Sequence, residues 1–297
     1  MSMVNNNSVK ATNLDKIFWP KEKYTKGDVI EYYRKIAPYI LPYLKDRPES
    51  LLRQPNGIGK PGFFQKNIEH KVPERVVTHK IYSESNEENI NYLVCQNKET
   101  LIYMANLGCI EINPWFSRIQ HLDHPDYCVL DLDPEKISFE KVIEAALTIH
   151  KFLDKLDIPN YCKPSGATGL HIYIPLGAKY GYNQAKTFAE LVAKIINKQI
   201  PEFTSVLRMP AKRQGKVYLD FLQNRKGQTL ASPYSLRPKP GATVATLLRW
   251  AEVKKGLEPS DFNIKNIFKR LDKVGDLFKP ILTEKTDLKK ILTKLSK

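Results

Sequence analysis

The sequence contains only four cysteines in 297 residues, Cys95, Cys109, Cys128 and Cys162, and no two of them stand at C-x-x-C spacing. Thiols scattered in this way give no structural zinc site and read as reduced, mostly buried side chains of a cytosolic protein. No apolar run approaches the ~20 residues that a membrane helix needs. The first ten residues, MSMVNNNSVK, lack the apolar stretch of a secretory signal and read as a frayed polar tail. No internal repeat and no long linker break the chain, so it reads as one compact unit with two lobes. Acid is scarce as well. Lys and Arg number 47 against 32 Asp and Glu, a formal net charge of +15. That imbalance points to a polyanion, with nucleic acid first and an anionic membrane surface second. A merely solvated Lys-rich surface is as good a reading until the charge is located.

The chain is best organised around residues 127–133, YCVLDLD. Side chains alternate along a strand, so Asp131 and Asp133 project from one face while Leu132 points to the core. Pro134 cannot donate to a ladder, so the strand is expected to stop there. Two adjacent carboxylates repel, and hard divalent ions prefer such oxygen ligands. D-x-D alone is common, however, and fits a solvated strand end better than a site.

Upstream, Thr25 with Asp28 three residues on predicts a helix start. Val29, Tyr32, Tyr33, Ile36 and Ile40 follow at helical spacing, with Pro38 and Pro42 leaving the end open. Residues 46–69 are dense in Pro and Gly, and Arg53, Lys60 and Lys66 surround Phe63 and Phe64. This reads as a basic loop whose aromatics can stack on bases; a single Phe there fits the core as well. Strands are expected over 75–83 and 90–95, a helix over 99–110, and an extended IEINPW at 110–115. Downstream, Ser138 caps a helix with Val142, Ala146, Ile149, Leu153 and Leu156 inward, and Asn183 begins another. From 205 to 240 Asp220, within KVYLDFL, is the sole acid among eight Lys and Arg. This places much of the excess charge and weakens the bland surface reading. Beyond 241 the chain reads as helical.

Three strands thus carry polar groups where a buried strand would not: Asp131 and Asp133, His171, and Asp220. The turn before His171 holds Lys163, Ser165, Gly166, Thr168 and Gly169. Glycines there allow close approach of backbone N–H groups to phosphate, although the Walker spacing is absent and a plain hairpin turn fits S-G-x-x-G alone. A lone strand His is more often a satisfied core residue than a ligand. Taken together, three carboxylates for two divalent ions, a turn for a triphosphate and a basic segment for a nucleic-acid backbone fit in-line phosphoryl transfer.

The ordered set DLDP, SGATGLHIYIPL and VYLDFLQN, with FFQK, IEINPW and PYSLRP, resembles the archaeo-eukaryotic primase superfamily. Its nearest likeness is to the polymerase domain of bacterial DNA ligase D and its stand-alone archaeal relatives, over about residues 15–276. The resemblance implies a mixed α/β (α+β) fold: an antiparallel-rich catalytic sheet with flanking helices (126–240), an N-terminal lobe (10–125) and a C-terminal helical segment (241–297). It implies that Asp131, Asp133 and Asp220 are catalytic and hold two ions, Mn²⁺ or Mg²⁺. Ser165, Gly166, Thr168, His171, Lys163, Asn113 and Arg237 would serve the nucleotide. Lys16 and Lys26 would grip a 5′-phosphate, Phe63 and Phe64 would contact template, and Arg53 and Arg213 would lie near the templating strand. Relatives often carry His where Asn113 stands and Lys where Thr168 stands; Asn takes no positive charge, and Lys163 is the cation nearest that turn.

The implied activity is template-dependent addition of NTPs or dNTPs, preferring ribonucleotides, to 3′-OH ends at 5′-phosphorylated gaps and broken ends of DNA, in non-homologous end joining. Ku and a DNA ligase are the partners the resemblance implies; the sequence has no K-x-D-G nucleotidylation motif, so ligation would need a separate chain or a fused domain. No membrane is involved, and the implied location is cytoplasmic, at the nucleoid. The alternatives are a primase that starts chains de novo, which would not need Lys16 and Lys26, and an inert DNA-end adaptor for a separate ligase, which the carboxylate triad would oppose. A nuclease would have no need of a triphosphate turn.

Overall fold

The computed structural model describes residues 10–84, 86–213 and 215–295. The polar tail expected to fray lies outside the described residues through position 9, as do the last two residues of the Lys-rich C terminus.

The chain opens with β1 (Ile17–Trp19) paired to β2 (Tyr24–Thr25), then enters α1 (Lys26–Leu44). The capping box forms reciprocally: the Asp28 N–H donates to Thr25 Oγ1 at 3.2 Å and the Thr25 N–H to Asp28 Oδ2 at 2.7 Å. Val29, Tyr32, Tyr33, Ile36 and Ile40 are buried, as their spacing predicts. Pro38 and Pro42 lie inside the helix rather than ending it. Each forfeits a backbone donor, but buried Tyr43 and Leu44 beyond them dock the last turn.

Residues 46–69 are less irregular than their composition implies. They contain β3 (Pro48–Arg53) and β4 (Phe63–Gln65), so the Pro and Gly density marks only the connection between two strands. The expected hairpin follows as β5 (Val77–Ser83) and β6 (Glu88–Val94). Helix α2 (Lys98–Asn106) ends sooner than expected, because β7 (Cys109–Pro114) leaves it to pair along β3. These strands form one sheet in the order β4-β3-β6-β5, with β7 also on β3.

The second sheet is built from β8 (Tyr127–Glu135), β9 (Tyr161–Pro164), β10 (Leu170–Pro175), β11 (Thr204–Ser205) and β12 (Lys216–Asp220). Its order is β11-β12-β8-β10-β9, antiparallel except between β11 and β12. Helices α3 (Phe139–Asp154) and α4 (Tyr182–Gln199) cover one face. Strand β8 does not stop at Pro134. It continues against β12, with Pro134 opposite Val217, while its pairing with β10 ends at Leu132. Pro134 therefore sits where the strand is paired on one side only, and a sheet tolerates the missing donor there.

The alternation along β8 divides the molecule. Cys128, Leu130 and Leu132 pack on α3 and α4, whereas Tyr127 and Val129 face the other way, into a core shared with α1, α2 and β7. Asp131 and Asp133 continue that second face past the end of its apolar cover. All four cysteines are buried and free.

The region from 241 is mostly turns and isolated bridges, with two short helices, α5 (Ile267–Val274) and α6 (Leu288–Leu295), rather than a continuous helical segment. Residues 242–248 are buried without interruption. A short run buried on every side carries no period that distinguishes helix from extended chain. Among the described residues no helix is long and apolar enough to cross a membrane.

Candidate active site and nucleic-acid surface

Strand register places one ionisable residue from each of four neighbouring strands in a single row. Asp220 on β12 lies opposite Asp131 on β8, Asp131 opposite His171 on β10, and His171 opposite Lys163 on β9. Directly opposed residues share a face, so all four point the same way, with Asp133 two residues along β8. Asp220, distant in sequence, is thereby brought to the surface that Asp131 and Asp133 share.

The row is deeply placed. Asp131, His171 and Lys163 are buried, and Asp133 and Asp220 are half-buried. Burial, then the neighbouring Asp133 and Asp220, pushes the Asp131 carboxyl well above the usual range. Burial and then Asp220 raise Asp133 too. Asp131 Oδ1 is buried without a hydrogen-bond partner, although His171 Nε2 lies 3.4 Å away, within ion-pair distance. Asp220 is better satisfied: Oδ1 accepts from the Leu222 N–H at 2.7 Å and the Tyr218 hydroxyl at 3.2 Å, and Oδ2 from Gln223 Nε2 at 3.2 Å.

Among the described residues no three His, Cys, Asp or Glu side chains already stand in metal-holding geometry. The donor chemistry nevertheless fits a hard divalent cation. Three carboxylates share a face, one buried oxygen is unpartnered, and burial with mutual repulsion outweighs the pull of Lys163 and Arg237 on Asp131.

The turn between β9 and β10 is tied to the row. Ser165 Oγ accepts the N–H groups of Ala167 at 3.1 Å and Gly169 at 3.0 Å, so those two donors are used within the turn and the hydroxyl hydrogen remains to donate outward. Gly166 has φ +71°, a conformation that L side chains rarely adopt. A Cβ on Gly169 would collide with the Leu132 carbonyl oxygen, next to Asp131. Thr168 is exposed at the tip. Arg237 donates to the Ser165 carbonyl, and its Nε lies 2.7 Å from Glu111 Oε2 in an ion pair whose angles fall short of a hydrogen bond. Asn113, two residues beyond Glu111 on β7, is buried and donates to the Ser50 carbonyl at 3.3 Å.

Sequence reasoning passed over Glu111. The clue was there: Glu111 and Asn113 are polar positions two apart in an otherwise apolar strand. Arg208 and Arg225 belong to the basic 205–240 stretch that the sequence singles out, without a role of their own there. With Asp133, Arg213 and Asp220 they line a polar cavity of about 270 Å³.

A second cluster forms at the start of α1. The Lys26 N–H donates to the Lys16 carbonyl at 2.8 Å, and Lys16 Nζ to Asn56 Oδ1 at 2.6 Å. Burial, then Lys16 and Arg53, lowers the Lys26 pKa from its ordinary value, so these three cations crowd one another. Arg53 donates to the Leu107 carbonyl and to Gln65 Oε1, each at 2.8 Å, and its guanidinium lies 5.2 Å from the centre of the Phe63 ring. Phe63 and Phe64 are 47% and 60% exposed, which argues against a core role for either. Arg213, just before β12, has its guanidinium 4.0 Å from the centre of the Tyr218 ring.

The model of the LigD primase-polymerase domain matches residues 25–278. A bifunctional non-homologous end joining protein LigD of Bacillus subtilis is 35% identical over 266 residues, covering 89% of this chain and 42% of that protein. A multifunctional LigD of Mycolicibacterium smegmatis is 30% identical, covering 92% and 36%. The chain thus spans about two fifths of these relatives. The polymerase domain of Mycobacterium tuberculosis ligase D, solved in complex with DNA, superposes with a TM-score of 0.86 at 26% identity, over 94% of this chain and all of that one. Register, sheet order and these matches lead to one assignment: the chain belongs to the LigD primase-polymerase domains, a nucleotidyltransferase family.

Proposed function

We infer that the chain adds nucleotides, ribonucleotides in preference, to 3′-OH ends of DNA under direction of a template, at 5′-phosphorylated gaps and broken ends. It would act in non-homologous end joining beside Ku and a DNA ligase. One observation carries the reading: Asp131, Asp133 and Asp220 share a face that also presents His171, with Ser165 and Arg237 at its edge.

Asp131, Asp133 and Asp220 would hold the divalent ions, Mn²⁺ or Mg²⁺. When bound, two such ions stabilise the attacking and leaving oxygens of an in-line displacement. The Ser165 hydroxyl, the His171 ring and the remaining N–H groups of Arg237 would orient the triphosphate. The 3′-oxygen then bonds to the α-phosphorus as the bond to pyrophosphate breaks, and the 3′-hydroxyl proton passes to solvent. Lys16 and Lys26 would grip the 5′-phosphate across the gap, Phe63 and Phe64 would stack on template bases, and Arg53 and Arg213 would contact the templating strand. The crowded cations at the start of α1 favour a pre-existing end over de novo priming.

The test is primer extension on a one-nucleotide gap carrying a 5′-phosphate, with rNTPs or dNTPs and Mn²⁺ or Mg²⁺. Templated addition that disappears in Asp131→Ala/Asp133→Ala is the expected result. Tight DNA binding without addition would move the reading to an inert adaptor. Addition that survives the double substitution would reject these ligands.

A further inference from the structure

Lys163 is a lysine with no solvent exposure, in a row otherwise made of groups that can meet a ligand. Its Nζ lies 3.0 Å from His171 Nδ1. Burial, then Arg237, lowers its pKa to about 7, so the ammonium is the form present below neutral pH.

A neutral imidazole has one N–H, and the partner of the other nitrogen decides which. An ammonium has three donors and no acceptor. Facing that ammonium at 3.0 Å, Nδ1 must accept, so the ring is neutral and its hydrogen sits on Nε2. That nitrogen points along the row toward the carboxylates. It is 3.4 Å from Asp131 Oδ1, too far and too poorly aligned to satisfy that oxygen, and it makes no hydrogen bond among the described residues.

We propose that Lys163 is a positioning residue which fixes His171 as the Nε2–H tautomer, so that a neutral N–H donor faces the nucleotide phosphates beside Asp131. The arrangement keeps a cation out of the carboxylate cluster. A lysine reaching into the site would compete with divalent ions for Asp131 and Asp133, whereas one held behind the ring contributes its donor only through the imidazole. A bare amine accepting from Nδ1–H would give the opposite tautomer, so the two arrangements are distinguishable. The role of the phosphates rests on the function inferred above; the tautomer does not.

The first test uses the full chain, metal-free and nucleotide-free, labelled with ¹⁵N and held at about pH 6, where Lys163 is charged. Long-range ¹H–¹⁵N spectra separate the two ring nitrogens of each of the six histidines, and His171→Gln identifies its pattern. The expected pattern has the hydrogen on Nε2. Hydrogen on Nδ1, or an averaged pair of tautomers, overturns the proposal whether or not a Lys163 variant folds. The second test is Lys163→Met. Its His171 ring should average between tautomers, and its affinity for a non-hydrolysable NTP analogue with Mn²⁺ should fall about ten- to a hundredfold, as for other groups that orient a ligand-binding histidine. Binding to 5′-phosphorylated gapped DNA should be unchanged. A folded Lys163→Met with wild-type analogue affinity overturns the proposal. A wild-type chain that extends no primer, yet shows the Nε2–H ring and Lys163-dependent analogue binding, supports the positioning role and rejects only the polymerase reading.

Discussion

Two regions of this molecule crowd like charge, and they do so differently. On the β12-β8-β10 face Asp131, Asp133 and Asp220 are held by strand register, with Asp131 buried. At the start of α1, Lys16, Lys26 and Arg53 come from separate segments and sit beside two exposed phenylalanines. In both places the fold brings together charges that raise its own energy, and on the function proposed above a ligand would supply the further counter-charge. The depth differs with the task. A buried acidic cluster suits a small, partly dehydrated cation held by oxygen ligands. A rim of cations and aromatics receives a large, wet polyanion, for which registration matters more than dehydration.

The sharpest way to break the comparison is to remove one charge from the buried cluster. Asp131→Asn should lower nucleotide addition by about a thousandfold or more, since each factor of ten is about 1.4 kcal/mol and a metal site supplies several. The same variant, free of metal, should melt at a higher temperature than wild type, because it deletes a carboxyl whose ionisation is opposed by burial and two neighbours. A variant that loses both activity and stability would show that Asp131 holds the sheet rather than a cation.

A smaller effect is expected at the rim. Lys16→Ala/Lys26→Ala should weaken binding to 5′-phosphorylated gaps about tenfold, leave unphosphorylated DNA nearly unaffected, and flatten the salt dependence. Equal losses on both substrates would remove the phosphate pocket from the account. The response to cation alone is read as stability rather than affinity. Mn²⁺ at about a hundredfold over its Kd should stabilise the wild type by about 2.7 kcal/mol, several degrees of Tm, and should not stabilise Asp131→Asn/Asp133→Asn. Calorimetric melting reads both.

How much of this was legible depended on range. Asp131 and Asp133 share a face by alternation alone, and the capping box of α1 follows from Thr25 and Asp28. That Asp220 and His171 lie opposite Asp131 is a matter of strand order, which no local pattern contains; only the ordered motifs of a family pointed to it. Pro134 misled because a proline ends a strand only where both edges are paired. Glu111 escaped notice because its partner, Arg237, is distant in sequence and arrives through the C-terminal turns. Residues 242–248 read as helix because uninterrupted burial has no period.

The last contrast is with a lone buried acid. Glu49 on β3 is as buried as Asp131, but burial is the one influence raising its pKa; no second carboxylate crowds it, and both of its oxygens lack hydrogen-bond partners. Arg47 draws the pKa down only in part, because its guanidinium is committed to Asp126 and to the Phe116 and Trp115 carbonyls. Above the ordinary glutamate range the unfolded chain has lost this proton while the folded chain keeps it. The unfolded state then binds fewer protons, so stability falls as pH rises until the folded group ionises too. Glu49→Gln removes that dependence. At about pH 4.5 the variant and wild type should melt nearly together, and toward neutral pH the variant should melt higher by a few degrees, about 2–4 °C for each kcal/mol released. Divalent cations should leave this gap unchanged, whereas they should reverse the gain from Asp131→Asn. If the Glu49→Gln gap is instead constant with pH, Glu49 is ionised against Arg47. The two buried acids would then differ in whether the fold or the ligand supplies the counter-charge, rather than in whether one is needed.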